Sequence, residues 1–313
     1  MANRMAEPGS PVTALHGLAA AVSEAAVACA LRIAANGNAA WCRMIRRQPR
    51  FKPREAPSWR RMAVVTIALA VLAFHALDPL VGEHRPDTAS TGFRISACIT
   101  DFGKSGGYIT LSALVVLFLL GLDWNRLKRA QRRLAAAWLA VAWFFLVAIA
   151  GSGLIAAGLK LLIGRARPAL YHCEGLLSFH SMAFQAVHAS FPSGHSTTVG
   201  AFCAAVALLF PRMRLAMVVA AFWFGFSRLM VGVHYASDVI AGLALGVWFS
   251  YWCAWKLAAA GVLFSFDDRG WPVTRRGFRL TGLSLHRRMC QLCQRLEAVF
   301  RRGAVRAVRS GRG

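Results

Sequence analysis

Residues 192–238 read PSGHSTTVGAFCAAVALLFPRMRLAMVVAAFWFGFSRLMVGVHYASD. Two apolar runs, Ser196 to Phe210 and Leu215 to Phe226, are turned by Pro211, Arg212, Met213 and Arg214 and bracketed by polar, ionisable ends. Each run is shorter than the roughly 20 helical residues that cross a hydrocarbon core. The helices are therefore expected to extend past the runs, the second toward Met230. A helical hairpin returns to the side it left. Pro192, Ser193, Gly194 and His195 at one end then share an aqueous boundary with Ser227, Arg228, His234 and Asp238 at the other.

Four further apolar runs lie outside this hairpin: Met62 to Val81, Gly107 to Leu122, Leu134 to Leu159, and Val239 to Phe264. The 313 residues are 57% hydrophobic and 16% charged, with a mean hydropathy of +0.47. Such a composition excludes an ordinary soluble domain and a disordered chain. Eight cysteines without regular spacing are too sparse for a disulfide-built scaffold. The expected fold class is all-α, a polytopic membrane protein with a six-transmembrane-helix bundle. Its expected organisation is a basic cytoplasmic segment over 1–61, a membrane domain over 62–264 and a basic amphipathic tail over 265–313. The first 61 residues are too long and too basic for a secretory leader. The Ala-rich stretch 12–42, interrupted by Glu24 and Arg32, reads as an interfacial helix, with a seventh span as the alternative.

The chain carries 37 Lys and Arg against 13 Asp and Glu. Of the basic residues, 10 precede Met62, 5 lie between Asp123 and Arg133, 2 sit in the hairpin turn and 13 follow from Lys256 onward, whereas the opposite side holds 7. The positive-inside rule puts both termini in the cytoplasm and the polar ends of the hairpin in the periplasm of a bacterial inner membrane. A basic cytoplasmic face accounts for the net charge without nucleic acid as a partner. In the tail, Leu285, Met289, Leu292, Leu296 and Val299 recur at helical spacing among arginines, the pattern of a helix lying on an anionic leaflet.

Ionisable residues beside apolar spans are costly and are functional hypotheses by default. Lys160, Arg167 and Arg228 gather three cations at a surface otherwise poor in basic residues, where they suit phosphoryl oxygens. Ser193 and Gly194 precede a helical run, so their backbone N–H groups can serve an anion at a helix N-terminus. His234 and Asp238 are four apart and share a face if the last helix starts before His234. Asp238 accepting from Nδ1–H would leave Nε2 of His234 free as a nucleophile. His195, on another helix, can protonate a leaving oxygen and then activate water.

Together these residues resemble the signature of the type 2 phosphatidic acid phosphatase superfamily, PAP2. Lys160, six residues, Arg167 and Pro168 match its first part; Pro192, Ser193, Gly194 and His195 its second; Ser227, Arg228, five residues, His234, three residues and Asp238 its third. The resemblance covers about residues 60 to 265 and implies metal-independent hydrolysis of a lipid phosphate through a phosphohistidine, with no cofactor. It implies His234 as nucleophile, Asp238 as its orienting partner, His195 as acid and then base, and Lys160, Arg167, Ser193, Gly194 and Arg228 as phosphate ligands. Arg165 lies outside the signature; it is a possible substrate contact and not a catalytic group. The implied substrates are undecaprenyl diphosphate, phosphatidic acid, phosphatidylglycerol phosphate or a lipid A phosphate. Phosphotransfer to another lipid would use the same residues. A vanadate-dependent haloperoxidase and a non-catalytic lipid-phosphate transporter are the remaining alternatives.

Gly103, Lys104 and Ser105 superficially resemble a phosphate-binding loop, but Cys98 stands where that motif needs glycine and no strand precedes it. A glycine-rich loop near the mouth of the site is expected instead. Cys98 and Cys173 are the cysteines of the two outward loops and are candidates for a disulfide. Cys290 and Cys293 form a single CxxC that continues the tail's amphipathic pattern. The histidines at 16, 75, 84, 172, 180, 188 and 286 read as hydrogen-bonded structural residues.

Overall fold

The computed structural model describes residues 11–46, 59–84, 86–182 and 184–275. These residues are overwhelmingly helical. In chain order the helices are α1 (Pro11–Arg46), α2 (Trp59–Ala76), α3 (Asp78–Glu83), α4 (Thr91–Asp101), α5 (Ser105–Gly121), α6 (Arg129–Ile163), α7 (Tyr171–Glu174), α8 (Gly194–Leu209), α9 (Arg214–Met230) and α10 (Ala236–Ala259). A two-stranded antiparallel hairpin, β1 (Phe264–Phe266) and β2 (Pro272–Thr274), follows.

Five segments are long and apolar enough to cross a membrane: Trp59–Ala76, Thr91–Gly121, Arg129–Ile163, Pro211–Met230 and Ala236–Ala259. The outward faces of α2 and α5 carry exposed Val64, Ile67, Leu72, Leu111, Leu114 and Leu117, an apolar surface suited to acyl chains. The sixth expected span, α8, has 16 residues and is about 24 Å long, short of a roughly 30 Å hydrocarbon core. Eleven of those residues are buried. A helix wrapped by protein has little contact with lipid, so nothing obliges its length to match the bilayer.

Three boundaries differ from the sequence reading. The first run ends at Ala76, because Asp78 and Pro79 start the separate helix α3. The second run is preceded by α4, which opens on Ser90 as N-cap, its side chain accepting from the Phe93 N–H. The last span stops at Ala259, and Leu263 and Phe264 turn back fully buried into the core formed by α6, α8 and α10. Asp267 Oδ1 accepts from the N–H groups of Arg269 and Trp271 to make the hairpin turn, and Thr274 Oγ1 donates to the Leu208 carbonyl at 2.7 Å. The expected division between residues 264 and 265 therefore falls inside a structural unit. The segment read as an interfacial helix is α1, which docks on the end of α5 through Asn36 Nδ2, donating to the carbonyls of Leu120 and Leu122. The amphipathic tail and the Cys290/Cys293 pair lie outside the described residues.

Helices α8 and α10 pack backbone to backbone. Gly242 and Gly246, one turn apart, face α8, where a Cβ on either would strike the backbone at Ser193 or Thr197; Gly200 abuts the Leu243 backbone in turn. Small residues let apolar helices approach backbone to backbone, which is how helices associate where hydrophobic burial gives no gain. This contact sets the distance between the first turns of the two helices.

Candidate active site

Those first turns are joined directly. Ser193 is the N-cap of α8, and its N–H donates to the Asp238 carbonyl at 3.0 Å. The Ser193 side chain accepts from the Ser196 N–H and from Ser196 Oγ, and the residue is fully buried. Its amide is thus committed to α10 and does not face an anion as the sequence suggested. Gly194, the next residue, does line the site.

The site is a cavity of about 520 Å³ bounded by Lys160, Arg167, Gly194, His195, Arg228 and His234. The glycine-rich loop, Gly103 to Gly106, forms its rim, as expected of it. Six of the eight residues anticipated from sequence therefore meet at one space, carried by α6, the loop after it, α8, α9 and the turn before α10. Asp238 and Ser193 stand behind the wall. Lys160 Nζ donates to the Ala189 carbonyl at 2.6 Å. Arg167 and Arg228 make no ion pair with any described residue, and burial pulls the Arg167 guanidinium below its ordinary value. Three cations held together without a carboxylate among them repel one another. An anion with several oxygens relieves that repulsion.

The relation of His234 to Asp238 differs in its cause from the sequence reading. α10 begins at Ala236 with Tyr235 as N-cap, so His234 precedes the helix. Asp238 occupies the third helical position, and its side chain reaches back past the helix start, accepting from the Tyr235 N–H at 3.0 Å. That puts Asp238 Oδ2 3.7 Å from His234 Nδ1, an electrostatic contact longer than a closed hydrogen bond. Ser190 Oγ donates to the same Oδ2 at 2.6 Å and lies 3.5 Å from His234 Nδ1. Burial draws the His234 imidazole down to about 4, opposed by the Asp238 carboxylate. The ring is neutral at pH 7 and lies at the wall of the cavity.

Sequence reasoning missed what holds Asp238. Arg165 is 2% exposed and donates from Nη1 to Asp238 Oδ1 at 2.7 Å and to Ser237 Oγ at 2.7 Å, and from Nη2 to Asp78 Oδ2 at 2.9 Å. Asp78 is itself fully buried; its Oδ1 accepts from the Ser237 N–H at 3.0 Å and its Oδ2 from the Ser237 hydroxyl. The rings of Tyr235 and Phe74 sandwich the guanidinium at 4.2 and 5.2 Å. Arg165 therefore does not reach the substrate space. The signal for it was Asp78, an acid in an apolar stretch, which demands a buried partner. Ser190, small and neutral, gave none. Cys98 and Cys173, the pair considered for a disulfide, are both exposed free thiols, on α4 and α7.

Among protein families, the PAP2 superfamily model matches residues 141–261. A lipid A 1-phosphatase of Rhizobium etli is 43% identical over 226 residues, covering 70% of this chain and 94% of that protein. One of Rhizobium johnstonii is 42% identical over 225 residues, covering 71% and 90%. An undecaprenyl-diphosphatase of Bacillus subtilis is 37% identical over 70 residues, covering 22% of this chain and 35% of its own. Among solved structures, a PAP2-type phosphatidylglycerolphosphate phosphatase from Bacillus subtilis has a TM-score of 0.41 and 20% identity, covering 62% of this chain and 92% of that one.

Proposed function

The chain belongs to the PAP2 superfamily and is a bacterial membrane lipid phosphatase, and we propose that it removes a phosphate from lipid A through a phosphohistidine at the periplasmic face of the inner membrane. The observation that carries the chemistry is the shared cavity: two imidazoles on different elements, His195 and His234, with Lys160, Arg167 and Arg228 around the same space. The similarity to lipid A 1-phosphatases, over 70% of the chain, supports the substrate, whereas the diphosphatase similarity covers only 22% of it.

In this reading Lys160, Arg167, Arg228 and the Gly194 N–H hold the phosphoryl oxygens, and their charge gains strength as negative charge builds in the transition state. Neutral His234 attacks phosphorus through Nε2. The P–O bond to the sugar breaks as the N–P bond forms, and His195 gives its proton to the departing oxygen. His195 then takes a proton from water, whose oxygen displaces His234 and releases inorganic phosphate. Asp238 keeps the His234 ring oriented and offsets the charge it acquires. Arg165, Asp78 and Ser190 are positioning residues for Asp238. With both termini cytoplasmic, as the distribution of basic residues supports, the cavity opens to the periplasm.

The deciding experiment is rapid-quench trapping with lipid A labelled at its 1-phosphate, in detergent. Wild type is expected to carry acid-labile label on His234, and His195→Ala to form it at a greatly reduced rate because the departing sugar oxygen receives no proton. His234→Ala should carry none and lose at least about 10⁴-fold in kcat/KM. Label of equal amount on His234→Ala would overturn the mechanism. Turnover of undecaprenyl diphosphate with lipid A left intact would overturn the substrate.

A further inference from the structure

Three side chains that the phosphatase chemistry does not use converge on the loop between α6 and α8. Glu174 Oε2 lies 3.0 Å from His180 Nε2, and Oε1 lies 3.3 Å from His188 Nε2; all the ligand-type atoms fall within 4.8 Å of one another. A tetrahedral ion with bonds of about 2.0–2.1 Å holds its ligand atoms roughly 3.3 Å apart. The centroids of the two imidazole rings stand 4.2 Å apart, and both rings turn Nε2 to the one carboxylate. Two imidazoles and a carboxylate are the donors that borderline metals of the zinc class take. The Ser178 hydroxyl meets the same donor atoms, Glu174 Oε2 and, at 3.0 Å, His180 Nε2.

We propose that Glu174, His180 and His188 form a structural site for a zinc-class divalent metal that clamps this loop. The clamp is separate from the cavity, which none of the three residues lines. Its effect follows from the backbone. Residues 165–167 are flanked on one side by 178–180, with Ala166 N–H donating to the Ser178 carbonyl and His180 N–H to the Gly164 carbonyl. On the other side Arg167 N–H donates to the Val187 carbonyl and Ser190 N–H to the Arg165 carbonyl. His180 belongs to one flank and His188 to the other, so a shared ion joins them across the segment that carries both Arg165 and Arg167. The same flank supplies the Ala189 carbonyl to Lys160 and the Ser190 hydroxyl to Asp238. The metal takes no part in phosphoryl transfer and keeps the residues behind it in register.

The test uses the full chain in detergent, without a polyhistidine tag and with Cys290→Ser/Cys293→Ser so that the tail thiols bind nothing. After chelation, exposure to zinc and desalting, mass spectrometry of the metal should find about one equivalent in this background and none in His180→Ala/His188→Ala. Zinc should raise the unfolding temperature of the first protein and leave the second unchanged. Should the double variant misfold, two measurements stand in for it. Glu174→Gln should cut zinc retention by at least about tenfold, and cobalt added to the unmutated site should give the intense visible absorption of tetrahedral coordination. Zinc below one-tenth of an equivalent, equal zinc in both proteins, or an octahedral cobalt spectrum would each overturn the proposal. None of these readouts depends on activity, so they stand or fall apart from the phosphatase mechanism.

Discussion

Arg165 and Arg167 are two residues apart on one extended segment and differ in what decides the use of a charge. Arg165 is sealed from solvent, paired with two carboxylates and sandwiched by two rings. Arg167 borders a cavity, and no carboxylate of the described residues pairs with it. A buried guanidinium whose partners are all internal is spent on architecture, whereas one that no described carboxylate pairs with retains its capacity for a ligand.

The contrast can be broken by exchanging the losses. Arg165→Ala leaves Asp78 and Asp238 buried without their cation and is expected to cost about 3–5 kcal/mol of stability, measured as a fall in detergent unfolding temperature, with activity following. Arg167→Ala is expected to reverse the pattern, with kcat/KM down about 10²–10³-fold and the unfolding temperature unchanged. Equal loss of stability in the two variants would erase the distinction. Ser190→Ala removes one hydrogen bond to a charged acceptor, and a loss of about 1.5–3 kcal/mol, seen mostly in kcat, is expected if the serine acts by holding Asp238. A separate effect concerns protonation. His234 binds its proton near pH 4 in the folded protein and near 6.5 unfolded. The unfolded chain therefore binds more protons between those values, and stability contributed by this group declines as pH falls from about 6.5 to 4. Carbon-13 imidazole NMR, assigned with His234→Gln, should show that ring neutral at pH 6 and titrating near 4.

The signature residues were legible because phosphoryl transfer restricts which side chains can serve at each place, and because the parity of two crossings could be counted between His195 and Arg228. The helical hairpin was legible too, including the extension of α9 to Met230. Other features were not. Arg165 finds Asp78 87 residues away, and no local period links them. Helix α4 was passed over because the residues it buries include the polar Ser96 and Thr100: Thr100 Oγ1 meets Ser227 Oγ at 3.2 Å, a pair that reads as loop composition until α9 stands beside it. The proximity of His234 to Asp238 was anticipated for the wrong cause, since it arises from a side chain bending back over a helix start. His180 and His188 read as isolated structural residues because Glu174 joins them only once the loop has folded over Arg165.

One further consequence lies in Gly246, about 15 Å along the axis of α10 from its first residue. A hydrogen atom there, where any other amino acid would bring a methyl group, works as a ruler for chemistry it never meets. Enlarging it would pry the two helices apart like a wedge in a door frame and widen the gap between the imidazoles, silencing turnover while every reacting group remained present.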